Sequence, residues 1–290
     1  MSILHDFEYF KPADLKDATD LLARFGKKAK ILAGGTDLVV QMKENIETPD
    51  IVIDIKGILK MNEILLEDNT LFIGACVTFS ELIESKIIKK YFSLIKEMSE
   101  TVASVSIRNR ATLTGNICSA VPSADSAPIL LVYDAEVVAK SASEERIIPI
   151  NDWFIGPKKT VLRSDELVTG IAIPFPDKKH AGCYEKLGRY SGEDLAQVGV
   201  CILAFEDFQY NVAFCAVGPV PKRAYGAEKF LKGKQISREI IDEAKQCLLK
   251  EISPITDVRA SQEYRTHMMS VMFERGLKKV IARLQGGEDV

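Results

Sequence analysis

The sequence predicts an α+β protein: two small α/β units in succession, then a unit of antiparallel strands closed by helices. Three observations predict it. Short apolar runs alternate with helix-period stretches in the first half of the chain. Two glycine-bearing turns interrupt that half. Beyond Pro174-Phe175-Pro176, three alternating runs follow one another before two amphipathic helices. At 290 residues, 47% of them apolar, the chain can bury the core that two domains need.

The elements follow in order. Leu15, Ala18, Leu21, Leu22 and Phe25 recur at helical spacing behind Pro12, and Gly26 supplies the stop. That helix precedes a buried strand over residues 29–33, and a second strand over 51–55 follows Pro49-Asp50, which completes the first α/β unit. Residues 70–77 read as a strand running into Thr78-Phe79-Ser80-Glu81, a capping box that opens a helical region reaching about Val102. Residues 127–139 are apolar throughout and partly strand-like. Further strands cover 147–150 and 167–173, and Pro174-Phe175-Pro176 then breaks the pattern, which places a domain boundary near residue 177. After it, residues 182–187, 197–206 and 210–217 alternate as an antiparallel sheet. Ser237 caps a helix carrying Ile240, Ile241, Ala244 and Leu248, a last helix runs from about Ala260 to Leu284, and the tail 286–290 frays.

Charge and cysteine usage exclude several classes. A net charge of −3, from 38 basic and 41 acidic residues interspersed, leaves no basic footprint for nucleic acid. The longest apolar stretch, residues 198–205, is far short of a membrane span, and the first residues lack the basic flank and apolar core of a signal peptide. A cytoplasmic protein is expected. Six cysteines form no Cys-x-x-Cys pair, so most are read as reduced core residues; Cys118, inside the second turn, is the exception and is read as a small apolar filler beside whatever that turn holds, not as a reactive thiol. His5, His180 and His267 show no zinc spacing, and His180 is read as solvated in a polar linker. No metal site, Walker loop or Ser–His–Asp order is visible.

The chemistry is concentrated in the two turns. Ile31-Leu32-Ala33-Gly34-Gly35-Thr36-Asp37-Leu38 follows the first strand and carries no lysine or arginine, so any positive potential there must come from main-chain N–H groups. Glycine permits positive φ and close approach of the backbone to an anion. The second turn, Thr112-Leu113-Thr114-Gly115-Asn116-Ile117-Cys118-Ser119, is preceded by Ile107-Arg108-Asn109-Arg110 and followed by Asp125, a carboxylate suited to ribose hydroxyls or, equally, to capping a helix. Two such turns point to a dinucleotide held by main chain. Either alone reads as an ordinary strand–turn–helix connection.

With Phe7-Glu8-Tyr9-Phe10-Lys11-Pro12, Ser123-Ala124-Asp125-Ser126 and Tyr184-Glu185-Lys186-Leu187, these turns make the chain resemble the flavoprotein subunits of the molybdenum hydroxylases, among them xanthine dehydrogenase and aerobic carbon monoxide dehydrogenase. Within that family Asn116-Ile117-Cys118, Pro149-Ile150-Asn151 with Gly156-Pro157, and Arg259-Ala260-Ser261-Gln262-Glu263-Tyr264-Arg265 resemble the FAD subunit of three-subunit xanthine dehydrogenases. The resemblance implies an FAD-binding domain over 1–177, of the vanillyl-alcohol-oxidase or PCMH type with two α/β subdomains split near 57. A C-terminal domain of the carbon monoxide dehydrogenase flavoprotein type would cover 178–290. It implies FAD contacts at Ile31 to Leu38, Ile107, Thr112, Gly115, Asn116 and Ser119, with Asp125 on the adenosine ribose, Val168 packed near the flavin ring and Lys186 beside it. By itself Lys186 would read as a snorkelling strand lysine.

It further implies a partner set: an iron–sulfur small subunit with two [2Fe–2S] clusters and a molybdopterin large subunit, the heterotrimer able to pair as a dimer, with NAD or another acceptor taking the electrons. The chemistry would then belong to the flavin, and no side-chain catalyst is expected. The flavoprotein of carbon monoxide dehydrogenase or of another substrate class in the family, a stand-alone flavin oxidoreductase and a non-catalytic nucleotide-binding module are the rival readings. Thr114 stands where the family usually has a second glycine, and the chain lacks the cysteine-rich insertion by which some relatives bind an extra cluster.

Overall fold

A computed structural model describes residues 2–190 and 194–287. Its architecture is α+β, as expected. A parallel three-stranded sheet comes first, with Ile51–Asp54 between Glu8–Phe10 and Ala29–Leu32. Ile51–Asp54 is buried along its whole length because the helix Leu15–Phe25 covers the sheet with Ala18 and Leu22. Asp14 caps that helix by accepting from the Asp17 N–H at 2.9 Å.

The second sheet is antiparallel and five-stranded. Leu167–Pro174 lies at its centre, flanked by the hairpin Ile64–Glu67/Thr70–Gly74 on one side and by Glu136–Lys140 with Glu145–Pro149 on the other. Asp68 and Asn69 both take positive φ, 46° and 58°, which is the two-residue turn whose twist suits a hairpin. The expected helical region resolves into Phe79–Glu84, Lys86–Tyr91 and Ser93–Glu100, and the Thr78–Glu81 capping box is formed. The stretch 127–139 divides into a helix, Ser126–Val132, and the strand Glu136–Lys140. Every residue of that helix is buried, so no helical period marks it in the sequence.

The third sheet, antiparallel, runs His180–Leu187, Val198–Phe205, Tyr210–Cys215, Lys222–Arg223. Val198–Phe205 does not alternate between core and solvent as expected. Val198, Val200, Ile202 and Ala204 pack under the helices Arg238–Leu249 and Gln262–Leu284, while Cys201 and Leu203 join the core of the five-stranded sheet. Packing is thus continuous past residue 177. His180 is not a solvated linker residue: it opens the first strand of this sheet, lies edge-on to Tyr133 and contacts Phe205. The tail also differs from expectation. Gly286, at φ 84°, and Gly287 return their N–H groups to the carbonyls of Arg283 and Ala282, a hydrogen-bonded helix stop. Residues 288–290 lie outside the described chain.

Candidate functional site

The first turn leaves the parallel sheet at the carboxyl end of Ala29–Leu32, where open α/β sheets place their ligands. Gly35 has φ 76°, a left-handed conformation that costs a residue with Cβ about 1–2 kcal/mol. Gly34 meets a different constraint: a Cβ there would lie 2.0 Å from the Arg110 carbonyl oxygen, so this glycine lets the first turn seat directly on the segment leading into the second. The helix Leu38–Lys43 begins with Val39 and Gln41 donating to the carbonyls of Gly35 and Asp37. Among the described residues, the main-chain N–H groups of Gly34, Gly35, Thr36, Asp37 and Leu38 have no partner in the protein. Consecutive main-chain N–H groups left open make a concavity for an anion.

The second turn is a short helix, Leu113–Ser119, and not the glycine loop the sequence suggests. Thr112 caps it, its hydroxyl accepting from the Gly115 N–H at 2.9 Å. Thr114 can replace glycine because it occupies a helical position; it is buried, and its Oγ1 has no partner among the described residues. Asn116 does not point away from the protein: its Oδ1 accepts from the Ser126 hydroxyl at 2.5 Å, joining this helix to the start of Ser126–Val132. The Ile117 carbonyl accepts from the indole N–H of the fully buried Trp153 at 2.9 Å. Ser119 donates to the Asp37 carboxylate, so the two turns, 82 positions apart, are tied side chain to side chain. Asp37 therefore orders the pair of turns and does not cap its own helix. Cys118 is exposed beside this contact, whereas Cys76, Cys183, Cys201 and Cys215 are buried and free.

Ile107 lies 39% exposed on the helical turn Val105–Arg108, ahead of the Arg110 contact. Arg108 reaches back, its Nη1 donating to the carbonyls of Val102 and Ala103 at 2.8 and 2.7 Å, so it holds the main chain and forms no ion pair among the described residues. Val168 is buried at an irregularity in the central strand, in the same core as Leu113 and Ile117 of the second turn.

Asp125 precedes the helix Ser126–Val132 without capping it. Its carboxylate points inward, where Oδ1 accepts from the Tyr184 hydroxyl at 2.7 Å and Oδ2 from Lys186 Nζ at 2.8 Å. Lys186 also donates to the Thr101 carbonyl at 2.9 Å and does not snorkel. Burial pushes the Asp125 carboxyl up, against the pull of the Lys186 ammonium and the Tyr184 hydrogen bond. Burial, and then the carboxylate beside it, raises the Tyr184 phenol well above its ordinary range. Tyr184 is the residue sequence reasoning passed over. Its signal was the period of two that puts residues 184 and 186 on one face of a strand.

The expected residues Gly34, Asp37 and Ser119 thus meet in one place, and Asn116, Asp125 and Lys186 form a second connected group behind it through Ser126 and Tyr184. Clefts of about 390 and 330 Å³ lie elsewhere, by Pro12 and Leu21 and by Gln209 and Lys232. No cluster of His, Cys, Asp or Glu suited to a metal occurs among the described residues, and no helix among them is long and apolar enough to cross a membrane. The open N–H groups and the left-handed Gly35 fit a dinucleotide's pyrophosphate, which needs donors and no cation.

Residues 5–176 match a family profile described as the FAD binding domain in molybdopterin dehydrogenase, and residues 182–280 one described as the CO dehydrogenase flavoprotein C-terminal domain. The chain is 32% identical to the putative xanthine dehydrogenase FAD-binding subunit of Escherichia coli, over 98% of this chain and 99% of that protein. It is 30% identical to the carbon monoxide dehydrogenase medium chain of Hydrogenophaga pseudoflava, over 96% and 98% of the two chains. The solved carbon monoxide dehydrogenase from Hydrogenophaga pseudoflava superposes with a TM-score of 0.94 at 30% identity, covering 98% of this chain and 99% of that one. With its cradle of open amides and these matches along nearly its whole length, the chain belongs to the FAD-binding subunits of the molybdenum hydroxylases, and it is a subunit of an oxidoreductase.

Proposed function

We propose that this chain is the electron-transfer subunit of a xanthine- or purine-oxidising dehydrogenase in the cytoplasm. It would work with an iron–sulfur small subunit and a molybdopterin large subunit, in an assembly that can pair as a dimer of heterotrimers. Electrons from two [2Fe–2S] clusters would reach FAD here and leave to NAD or another acceptor. The observation that carries the reading is the run of unpartnered N–H groups from Gly34 to Leu38, seated on Arg110 and tied to Ser119.

The residues divide their tasks. Gly34, Gly35, Thr36 and Asp37 would donate main-chain hydrogen bonds to the pyrophosphate, with Ile31, Leu32, Ala33 and Leu38 walling the dinucleotide. Thr112, Gly115, Asn116 and Ser119 would border it on the other side, Ile107 would cover it, and Asp125 would use its remaining lone pairs on the adenosine ribose. Val168 would pack near the ring. Lys186 holds a cation in a water-poor place, and a cation there stabilises negative charge arriving nearby. When bound, FAD supplies the redox chemistry, and this chain binds it, orients it and sets its electrostatic surroundings. The division at residue 177, with a further split near 57, is part of this reading, supported by profile matches that end at 176 and resume at 182.

Purification from the native host tests it. Flavin absorption with an iron–sulfur chain and a molybdopterin chain is the expected outcome, and turnover of purines by that complex is the expected activity. A large partner that oxidises carbon monoxide instead would shift the reading to that branch, which the 30% identity to its medium chain supports almost equally. A yellow protein that comes down alone and turns over a substrate would replace it with a self-sufficient flavoenzyme.

A further inference from the structure

We propose that Tyr184 is a positioning residue for Lys186, acting through Asp125, so that one buried phenol sets how much of the lysine's charge is felt at the flavin. The inference rests on the reading above that Lys186 lies beside the flavin ring.

The geometry is a chain of three side chains. Tyr184 and Lys186 stand on the same face of His180–Leu187, held in register opposite Cys201 and Gly199. Tyr184 is 4% exposed. Its hydroxyl donates to Asp125 Oδ1 at 2.7 Å, while Lys186 Nζ donates to Oδ2 at 2.8 Å. Among the described residues, the ammonium's second acceptor is the Thr101 carbonyl at 2.9 Å. The phenol's place is built: a Cβ on Gly199 would lie 2.8 Å from the Tyr184 hydroxyl and 2.5 Å from Cys215 Sγ, so only glycine there leaves room for the ring. The remaining neighbour of the hydroxyl is that thiol, at 3.7 Å. Among the described residues its one strong acceptor is therefore Asp125.

The arrangement sits where it can matter. Asp125 is bonded through the chain to Ser126, which holds Asn116 of the second turn, and Thr101 leads into the segment bearing Ile107. A buried carboxylate–ammonium pair is a weak stabiliser of a fold, which leaves its placement to be explained by something else. A carboxylate that accepts from both a phenol and an ammonium divides its charge between them. Without the phenol, more of that charge falls on the ammonium, at low dielectric, and screens Lys186 more completely from anything in front of it.

The test uses the full chain loaded with FAD and reads two quantities, the FAD-to-protein ratio and the flavin midpoint potential from dye-equilibrium titration. Lys186→Met and Tyr184→Phe should both retain FAD and both move the potential negative, with Tyr184→Phe the smaller shift. A native potential in Tyr184→Phe beside a shifted one in Lys186→Met overturns the inference and leaves the placement of Lys186 standing. A native potential in Lys186→Met overturns that placement and the inference with it. If Tyr184→Phe does not fold or loses FAD, 3-fluorotyrosine installed at position 184 keeps the ring in place and donates more strongly. The potential should then move positive, and no movement overturns the inference.

Discussion

Along Gly34 to Leu38 the main-chain N–H groups make no bond among the described residues, whereas along residues 112–120 the polar groups hold the chain to itself. Thr112 binds the Gly115 N–H, Asn116 binds Ser126, and the carbonyls of Ile117 and Ala120 accept from Trp153 and from the Lys158 N–H. Both segments carry glycines in similar wording. The difference shows that one is a cradle and the other its brace, and that a glycine signals a close approach without saying to what. Gly34 approaches Arg110, while Gly35 is required by its backbone angle.

Replacing Gly34 should break the comparison most severely. In Gly34→Val the new Cβ would collide with the Arg110 carbonyl and part cradle from brace, abolishing FAD retention and costing roughly 1–3 kcal/mol of stability, the usual penalty of overpacking. A stoichiometric FAD content in the purified variant would refute it. Gly35→Leu should also prevent retention, with a stability loss of about 1–2 kcal/mol from the positive φ. Its denaturant midpoint and absorbance at flavin wavelengths decide this, and native stoichiometry would mean the pyrophosphate lies elsewhere.

Changes in the brace should be milder. Thr112→Ala removes a helix cap worth about 1 kcal/mol, so stability should fall by that amount while FAD stays bound with weakened affinity. Ser119→Ala cuts the side-chain tie between brace and cradle, worth about 0.5–1.5 kcal/mol, and up to about a tenfold loss of FAD affinity should appear in equilibrium titration of the apo protein. If Ser119→Ala weakened FAD binding more than Gly34→Val, the assignment of cradle and brace would be reversed.

The smallest effect concerns acid. Burial pushes the Glu166 carboxyl up, but the Arg146 guanidinium and the Arg163 N–H hold it below the ordinary carboxylate range. The Arg146–Glu166 pair clamps the turn that follows Trp153 and Lys158, behind the brace. A carboxyl lowered in this way contributes its full stabilisation above an unfolded-state value of about 4.3 and loses it as pH falls through the folded value. Glu166→Gln should therefore flatten the fall of the urea midpoint below about pH 4, and a variant with the native acid limb would dissociate the clamp from the stability of the brace.

Much of the fold was legible because it rests on contacts close in the chain. The Thr78–Glu81 box and the Ser237 cap formed as read, since a cap is decided within four residues. The hairpin at Asp68-Asn69 carried a legible turn signal that the reading missed. The helix Ser126–Val132 carried none, because burial on all sides erases its period. In the site, the cradle was found by its glycines, while the inward turn of Asp125 and the part played by Tyr184 were not.

The sequence by itself determined the α+β class, the two segments of the candidate site and the residue types they offer, for these are written in local periodicity and glycine placement. Only the tertiary structure decided which amides stay open, that Gly34 faces Arg110, that Ser119 meets Asp37, and that the charge of Asp125 is shared between Tyr184 and Lys186. A hydrogen-bonding group is satisfied or left free by partners brought from far along the chain, and spacing in a sequence does not record what stands opposite in space.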